Sequence, residues 1–192
     1  LSPHIALREA GLPFELAKVD LKNKRLADGG DWLAINPKGY VPALRLPDGE
    51  ILTEGAIIVQ YIADQRPAAN LAPANGTAAR YRLNETLHFI ATELHKGMAP
   101  LFNVLANEDY KSQVREKVGT RFATLATMLR SAPYLQGEQF TIADAYAYYV
   151  QRAWQGWLKQ ELTRWPELVD YYQRLGARPA IAAALAAEGL TP

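Results

Sequence analysis

The segment formed by residues 67–76 divides the chain into two parts of different character. It is rich in Pro, Ala, Asn and Gly, a composition typical of linkers between domains. Helical and strand-like patterns alternate before it, whereas every periodic stretch after it is helical. We therefore predict an α/β domain at residues 1–66, a linker, and an all-helical domain at residues 77–192.

The part before the linker is predicted to run as helix, strand, loop, hairpin and helix. Ser2-Pro3 favours a helix start with Ser2 as the N-cap, and Gly11 suits a left-handed C-cap. Residues 13–21 alternate like a strand with one buried face, and the charged residues 22–30 are predicted to form a loop or a frayed helical turn. The turn Pro47-Asp48-Gly49 favours a hairpin. This order predicts a small sheet of three strands, the last two of which are residues 43–46 and 50–52.

The part after the linker is predicted to be helical because its apolar residues recur at helical spacing. The first helix also carries polar positions beside its apolar face, so it can serve both a core and a partner subunit. Thr141 and Asp144 match a capping box, which stabilises a helix start. The predicted helices are residues 78–103, 110–130, 141–157, 165–175 and 180–187.

The composition excludes several classes of protein. The 21 Lys and Arg residues balance 20 Asp and Glu residues for a net charge of +1, so no global field attracts a nucleic-acid backbone. No apolar run approaches the roughly 18 residues that a membrane-spanning helix needs. The chain has no cysteine, so these residues supply no disulfide, zinc thiolate or thiol nucleophile. We expect a cytoplasmic globular protein with neither nucleic-acid nor membrane partners.

The aromatic residues of the predicted helix at 141–157 are expected in the core. No basic residues are interleaved with them as on a surface where nucleic-acid bases stack. These aromatic residues are Tyr146, Tyr148, Tyr149, Trp154 and Trp157.

The first candidate site lies at Val41-Pro42, directly before the hairpin. A proline cannot donate to a sheet, and a cis bond here would leave the N–H and C=O of Val41 free to pair with a ligand's backbone. An ordinary trans turn proline is the alternative.

The second candidate site is Glu54-Gly55, at the start of a predicted helix. The free N–H groups of a helix start attract a carboxylate, Gly55 permits close approach, and Glu54 can pair with an ammonium group. These features together suit a free amino-acid head group. A cap formed by Thr53 and Glu54, serving stability alone, is the alternative.

Two of the three histidines lie on one predicted helix. His88 and His95 are seven residues apart and therefore on roughly the same face, with Thr92 between them. No third ligand occurs at a spacing suited to a metal, so we expect no metal site. The pair His95-Lys96 is a further candidate for function.

Four segments resemble signature sequences of one enzyme family, and they occur in the order expected for it. They are LAINPKGYVPAL at 33–44, LTEGAIIVQYIAD at 52–64, TELHKGMAPLF at 92–102 and LQGEQFTIADAY at 135–146. The chain resembles the cytosolic glutathione S-transferases, specifically their bacterial beta class, over essentially its whole length. The resemblance implies an α/β thioredoxin-like N-terminal domain, an all-α C-terminal domain and a homodimer.

The resemblance also implies that glutathione is the co-substrate and assigns roles to residues of the first domain. The backbone of Val41 would pair with the cysteinyl unit of glutathione, and Pro42 would be cis. Glu54 and Gly55 would hold the γ-glutamyl head group, and Lys24 would meet the glycyl carboxylate.

Further roles are implied for the helical domain. His95 would reach toward the sulfur with Lys96 beside it, and these two are the candidate catalytic residues. Thr92 matches a position near glutathione, at the cleft between two subunits. His88 departs from the family pattern, in which Asn is common.

The start of the chain departs most from the family pattern. Beta-class enzymes carry a cysteine, near a tyrosine and a serine, on a strand and turn immediately before the helix that begins here. That alignment places the cysteine just upstream of Leu1. An upstream strand and turn would complete a β-α-β-α-β-β-α order.

Three functional hypotheses follow. The first is transfer of glutathione, as a thiolate, to small hydrophobic electrophiles, with thiol–disulfide exchange if the upstream cysteine exists. The second is a non-catalytic module of the same fold that binds a ligand or a protein partner. The third is a dehalogenase-like or reductive relative that uses the same thiol. The electrophile pocket is expected to include Met98, Phe102, Trp154 and Trp157.

Overall fold

A computed structural model describes residues 1–191 of the chain. The first helix, α1 (Ser2–Ala10), ends at Gly11, whose φ of 63° is the predicted left-handed C-cap. The N-cap is Leu1 and not Ser2, because the N–H of Ile5 already bonds to the carbonyl of Leu1 at 2.9 Å. Ser2 is therefore the first helical residue, and its side chain caps nothing.

The strand predicted at residues 13–21 is wrong for most of its length. Only β1 (Val19–Asp20) is paired, and its antiparallel partner β2 (Arg25–Leu26) lies in the segment predicted as a loop. Leu16 is 54% exposed, so the alternation of apolar residues does not bury one face. Without a neighbouring strand in the described part of the chain, residues 13–17 gain no ladder hydrogen bonds, and the carbonyl of Lys18 accepts one from the N–H of Ala27 at 3.2 Å.

The predicted hairpin is present. Strands β3 (Ala43–Arg45) and β4 (Ile51–Thr53) pair antiparallel, with Leu44 opposite Leu52. The single predicted sheet is therefore two separate two-stranded sheets. A short helix, α2 (Trp32–Ile35), precedes the hairpin, and α3 (Gly55–Gln65) follows it.

The second part of the described chain is helical, as predicted. Its core lies between α6 and the helices around it, and α6 itself contacts both α1 and α3 of the first part. One apolar face is buried in each of the helices predicted at 78–103 and 110–130. The buried residues are Leu83, Leu87, Ile90 and Leu94 in the first, and Val114, Val118, Phe122, Leu125 and Leu129 in the second. The helices are α4 (Ala78–Phe89), α5 (Glu108–Met128), α6 (Ile142–Arg152), α7 (Pro166–Gly176) and α8 (Pro179–Ala187).

Two of the predicted helices change their geometry near their C-terminal ends. The chain continues α4 as a π-helical segment at Ile90–His95, and it continues α6 as another at Ala153–Trp157. A short 3₁₀ turn follows at Ala99–Phe102. The wider π turn rotates the residues that follow it relative to a regular α-helix, and such segments are frequent at functional sites.

Ion pairs connect the elements on either side of the linker. The buried Arg80 of α4 donates to both carboxylate oxygens of Asp64 at the end of α3, at 2.7 and 2.9 Å. Arg178 binds both carboxylate oxygens of Glu9 in the same bidentate manner, at 2.6 and 2.8 Å. The division of the chain at residues 67–76 stays a prediction. Within residues 1–191, no helix is both long and apolar enough to cross a membrane.

Candidate active site

The segment before the hairpin presents the backbone of Val41. The Val41-Pro42 peptide bond is cis, as the family resemblance implies, and the ordinary trans proline that the local sequence left open is not formed. Nδ2 of Asn36 donates to the carbonyl of Tyr40 at 2.9 Å and so holds the backbone of the residue before Val41 in place. Among the described residues, neither the N–H nor the C=O of Val41 has a hydrogen-bond partner, and Val41 is 44% exposed. This backbone edge is therefore free to pair with an extended ligand.

Glu54 begins α3 but does not cap it with its side chain. Its φ of 69° is in the left-handed region, and its carbonyl accepts from the N–H groups of Ile57 and Ile58. The carboxylate instead accepts from Nζ of Lys38 at 2.9 Å, and the same ammonium donates to Oγ1 of Thr53 at 2.9 Å. The stability cap that the sequence left open is therefore not formed, and Lys38 is a site residue that the sequence did not reveal.

Gly55 joins three elements of the site. A Cβ at this position would lie 3.6 Å from Cγ of Pro42 and 3.7 Å from the hydroxyl oxygen of Tyr146. The start of α3 thus packs against the proline of the preceding segment and against α6. The N–H groups of Gly55 and Ala56 have no partner among residues 1–191, so the helix start can accept an anionic group.

His95 lies at the end of the π-helical segment and turns toward α6. Its Nδ1 lies 2.8 Å from the hydroxyl of Tyr146, and its Nε2 lies 3.3 Å from the hydroxyl of Tyr149. Burial lowers the pKa of His95 below its ordinary value, and the positive charge of Lys96 lowers it further. The imidazole is therefore neutral near neutral pH.

Lys96 contacts the first domain directly. Its ammonium group lies 5.6 Å from the centre of the Tyr40 ring, over the ring face. Tyr149 packs edge to face against Trp157 with ring centroids 6.0 Å apart. Burial raises the pKa of Tyr146 well above its ordinary value, with further contributions from Tyr149 and the negative charge of Glu54. The Tyr146 hydroxyl therefore stays protonated.

Lys24 lies beside the same segment as Val41. Its Nζ donates to the carbonyl of Gly39 at 2.8 Å, and its φ of 54° places the residue in the left-handed region. The structure thus brings Lys24 close to the Val41 backbone edge, within the region where the resemblance expects it.

His88 and Thr92 are not brought to this cluster. Both are exposed, and the hydroxyl of Thr92 donates to the carbonyl of His88 at 3.0 Å. His88 is exposed, whereas His95 is half-buried and contacts Tyr146 and Tyr149 of α6. The π-helical turn between the two histidines departs from the regular helix that the expectation of a shared face assumed. The sequence treated this stretch as a regular helix.

The residues expected to line an electrophile pocket divide into two pairs. Met98 is 1% exposed and Trp154 is 4% exposed, so both belong to the core and not to an open pocket. Phe102 and Trp157 are each about half exposed, and Trp157 neighbours Tyr149. Only this second pair is available to a ligand.

The sequence placed Tyr146 and Tyr149 in the core. That prediction is confirmed for Tyr146, which is 5% exposed, but its hydroxyl also binds a candidate catalytic residue. The signal in the sequence is the spacing of the two tyrosines, which lie three residues apart and so share a helix face. Among residues 1–191, no group of three or more His, Asp and Glu side chains could hold a metal ion.

Comparison with known proteins gives a consistent result. Models of the N-terminal and C-terminal domains of glutathione S-transferase match residues 2–65 and 89–179. The glutathione S-transferase GstA of Escherichia coli O157:H7 is 44% identical over 190 residues, which cover 99% of this chain and 94% of that protein. Glutathione S-transferase GST-4.5 of Xanthomonas campestris pv. campestris is 34% identical over 197 residues, with 99% and 94% coverage.

Solved structures extend the similarity to the fold. A ternary complex of BphK, described as a bacterial GST, is 51% identical, with a TM-score of 0.95 and coverage of 98% of this chain and 94% of that one. The beta-class glutathione S-transferase of Sphingomonas chungbukensis is 41% identical, with a TM-score of 0.93 and coverage of 99% and 94%. A sphingomonad glutathione S-transferase complexed with glutathione is 43% identical, with the same TM-score and coverage. The chain belongs to the glutathione S-transferase family, and its resemblance to the bacterial beta class is confirmed.

Proposed function

We propose that the protein transfers glutathione to small hydrophobic electrophiles. The observation that carries this proposal is a series of contacts that brings three features together. Tyr146 bonds to the neutral imidazole of His95 and packs at Gly55 beside Pro42, next to the free backbone edge of Val41 and the acidic residue Glu54. Family membership supports the reaction class, and a related structure is described as complexed with glutathione.

Glutathione would bind along the first domain. The cysteinyl backbone pairs with the N–H and C=O of Val41, next to Pro42. The γ-glutamyl ammonium group binds the carboxylate of Glu54, while its α-carboxylate meets the free N–H groups at Gly55. The glycyl carboxylate binds the ammonium group of Lys24, which already reaches this segment.

The reaction would take place at the thiol of the bound glutathione. The thiol loses its proton to solvent, the thiolate attacks an electrophilic carbon, and a C–S bond forms as a halide leaves with its bonding electron pair. The ammonium group of Lys96 stabilises the anionic sulfur, since an adjacent cation lowers a thiol pKa. His95 lies beside Lys96 as a neutral imidazole whose ring nitrogens contact Tyr146 and Tyr149. No step needs a metal ion.

The half-exposed aromatic pair Phe102 and Trp157 is proposed to contact the hydrophobic electrophile. Both lie on the helical side of the cleft, one in the 3₁₀ turn after Lys96 and the other in the second π-helical segment.

We also propose a cytoplasmic homodimer with domains at residues 1–66 and 77–192. The apolar face of α4 is buried in its own subunit, while His88 of α4 and Thr92 of the π-helical segment that follows it remain exposed. A partner subunit seated there would bring Thr92 near the bound glutathione. Light scattering at micromolar concentration tests this, because a monomer excludes a site shared between subunits.

The test is product analysis by mass spectrometry. The protein is incubated with glutathione and an activated aryl chloride, and the conjugate is expected at the summed mass less hydrogen chloride, formed faster than without protein. Binding without conjugation would favour the non-catalytic module. An arene in which hydrogen replaces the halogen would favour the reductive relative. Disulfide exchange needs a cysteine, which the 192 residues do not contain.

A further inference from the structure

One helix occupies both ring nitrogens of His95. The hydroxyl of Tyr146 in α6 contacts Nδ1 of the imidazole at 2.8 Å, and the hydroxyl of Tyr149 in the same helix contacts Nε2 at 3.3 Å. Both phenol rings meet the imidazole edge to face, at ring-centroid distances of 5.8 and 4.9 Å. The ring plane of His95 is therefore defined by packing as well as by hydrogen bonds.

The two hydroxyls match the needs of a neutral imidazole. Such a ring has one N–H donor and one acceptor nitrogen, whereas each hydroxyl can either donate or accept. One tyrosine therefore donates to His95 while the other accepts from it, and both ring nitrogens are satisfied in the half-buried site. The two hydrogen bonds hold the ring in a single orientation, and the shorter contact, from Tyr146 at 2.8 Å, favours the tautomer in which that phenol donates to Nδ1 and Nε2 carries the proton.

Tyr146 also connects this histidine to the first domain. A Cβ built on Gly55 would lie 3.7 Å from the hydroxyl oxygen of Tyr146 and 3.6 Å from Cγ of Pro42. Tyr146 is 5% exposed, so it has little room to move. A single phenol group therefore lies between the imidazole of the helical domain and the start of α3.

We propose that Tyr146 is a positioning residue for glutathione transfer. Its hydroxyl holds Nδ1 of the His95 imidazole at a fixed place relative to the start of α3 at Gly55, and Tyr149 fixes Nε2. This inference rests on the proposed function, since it assigns a role within the same site. Tyr146 acts through His95 and does not contact the reacting sulfur.

The first test is the variant Tyr146→Phe, which removes one oxygen atom and keeps the ring packing. Without the hydroxyl, the imidazole is free to rotate and to change tautomer. We expect kcat for conjugation to fall about tenfold, on the scale of one lost hydrogen bond to a buried group. We expect KM for glutathione to change less than about twofold, because Val41 and Glu54 still bind it.

The matched control is Tyr148→Phe. Tyr148 is a buried tyrosine of the same helix, but it stacks on Tyr172 at a centroid distance of 4.8 Å and lies away from His95. This variant should keep kcat. Thermal unfolding of each variant shows that it is folded, and Tyr149→Phe provides a second test of the same histidine if Tyr146→Phe does not fold.

The second readout is the ¹⁵N spectrum of the His95 side chain, recorded without glutathione. The wild type should show the two separate nitrogen shifts of one tautomer, and Tyr146→Phe should show averaged shifts. An active wild type with unchanged kcat and unchanged ¹⁵N shifts in Tyr146→Phe overturns the positioning role alone. An inactive wild type overturns the proposed function and this role with it.

Discussion

Nζ of Lys38 lies 2.9 Å from Oε1 of Glu54, so the carboxylate proposed to bind the ammonium group of glutathione already has a lysine partner. Both side chains are more than half exposed, which makes this a weak surface pair. A ligand's ammonium group can therefore join or replace Lys38 at little cost. The pair shows that Glu54 is oriented for a cation before the ligand arrives.

Glu54→Gln is expected to weaken glutathione binding about tenfold while leaving the fold unchanged. The variant removes the negative charge but keeps the shape, and a charge-assisted hydrogen bond contributes about 1.5–3 kcal/mol. The free energy of unfolding should change by less than about 0.5 kcal/mol because the side chain is exposed. Glu50→Gln, an exposed position on the same hairpin, is the control and should bind like the wild type. Calorimetric titration measures both, and equal affinity in the two variants would contradict the assignment of Glu54.

The titration of His95 should begin below its ordinary pKa of 6.5, because burial and Lys96 both disfavour the imidazolium. The unfolded chain then binds more protons than the folded one as pH falls below about 6.5, so the free energy of unfolding decreases in that range by up to about 1.4 kcal/mol per pH unit. His95→Gln should reduce this slope. His4, whose pKa is lowered chiefly by burial, leaves a residual slope of the same sign. Chemical denaturation between pH 8 and 5 measures it, and an unchanged slope in His95→Gln would count against a buried neutral imidazole.

Gly97→Ala is expected to disturb the site through the backbone. A Cβ at Gly97 would clash with the carbonyl oxygen of Glu93, so the turn after His95 and Lys96 must move. We expect a loss of stability of about 1–3 kcal/mol and a parallel loss of conjugation. The control is Gly119→Ala in α5, where the nearest atoms are 3.7 Å away and alanine favours the helix. Urea unfolding and initial rates provide the comparison, and a neutral Gly97→Ala would show that this turn tolerates a side chain.

Arg80→Met should destabilise the junction between α3 and α4 by about 2–3 kcal/mol. The variant leaves the carbonyl of Pro73 and the carboxylate of Asp64 without their buried partner. Arg82→Met, which removes an exposed arginine paired with Glu85 on the same helix, should lose less than about 0.5 kcal/mol. Denaturant unfolding of both variants distinguishes the two cases, and similar losses would show that the Arg80 pair is no stronger than a surface pair.

Local features of the fold could be predicted from the sequence. The hairpin at Pro47-Asp48-Gly49, the C-cap at Gly11 and the capping box of Thr141 with Asp144 each depend on a few neighbouring residues, and all three are present. Residues 13–18 were mispredicted because a strand exists only when another strand pairs with it.

The site was only partly predictable for the same physical reason. Glu54 and Lys38 are separated by 16 residues, and His95 and Tyr146 are separated by 51, so tertiary packing alone brings each pair together. The π-helical turn at Ile90–His95 has no signature in residue type that distinguishes it from an α-helix. The family resemblance therefore identified His95 as a candidate catalytic residue, but the sequence could not show which side chains contact its imidazole.

The most direct test of glutathione binding at this site is a backbone ¹H–¹⁵N spectrum recorded while glutathione is added. Binding should give saturable shifts of the N–H signals of Val41, Gly55 and Ala56, which have no partner among residues 1–191. The signal of Lys96, whose ammonium group lies over the Tyr40 ring, should shift with them. Shifts confined to other surfaces, or none at millimolar glutathione, would contradict the claim that this cleft binds the thiol.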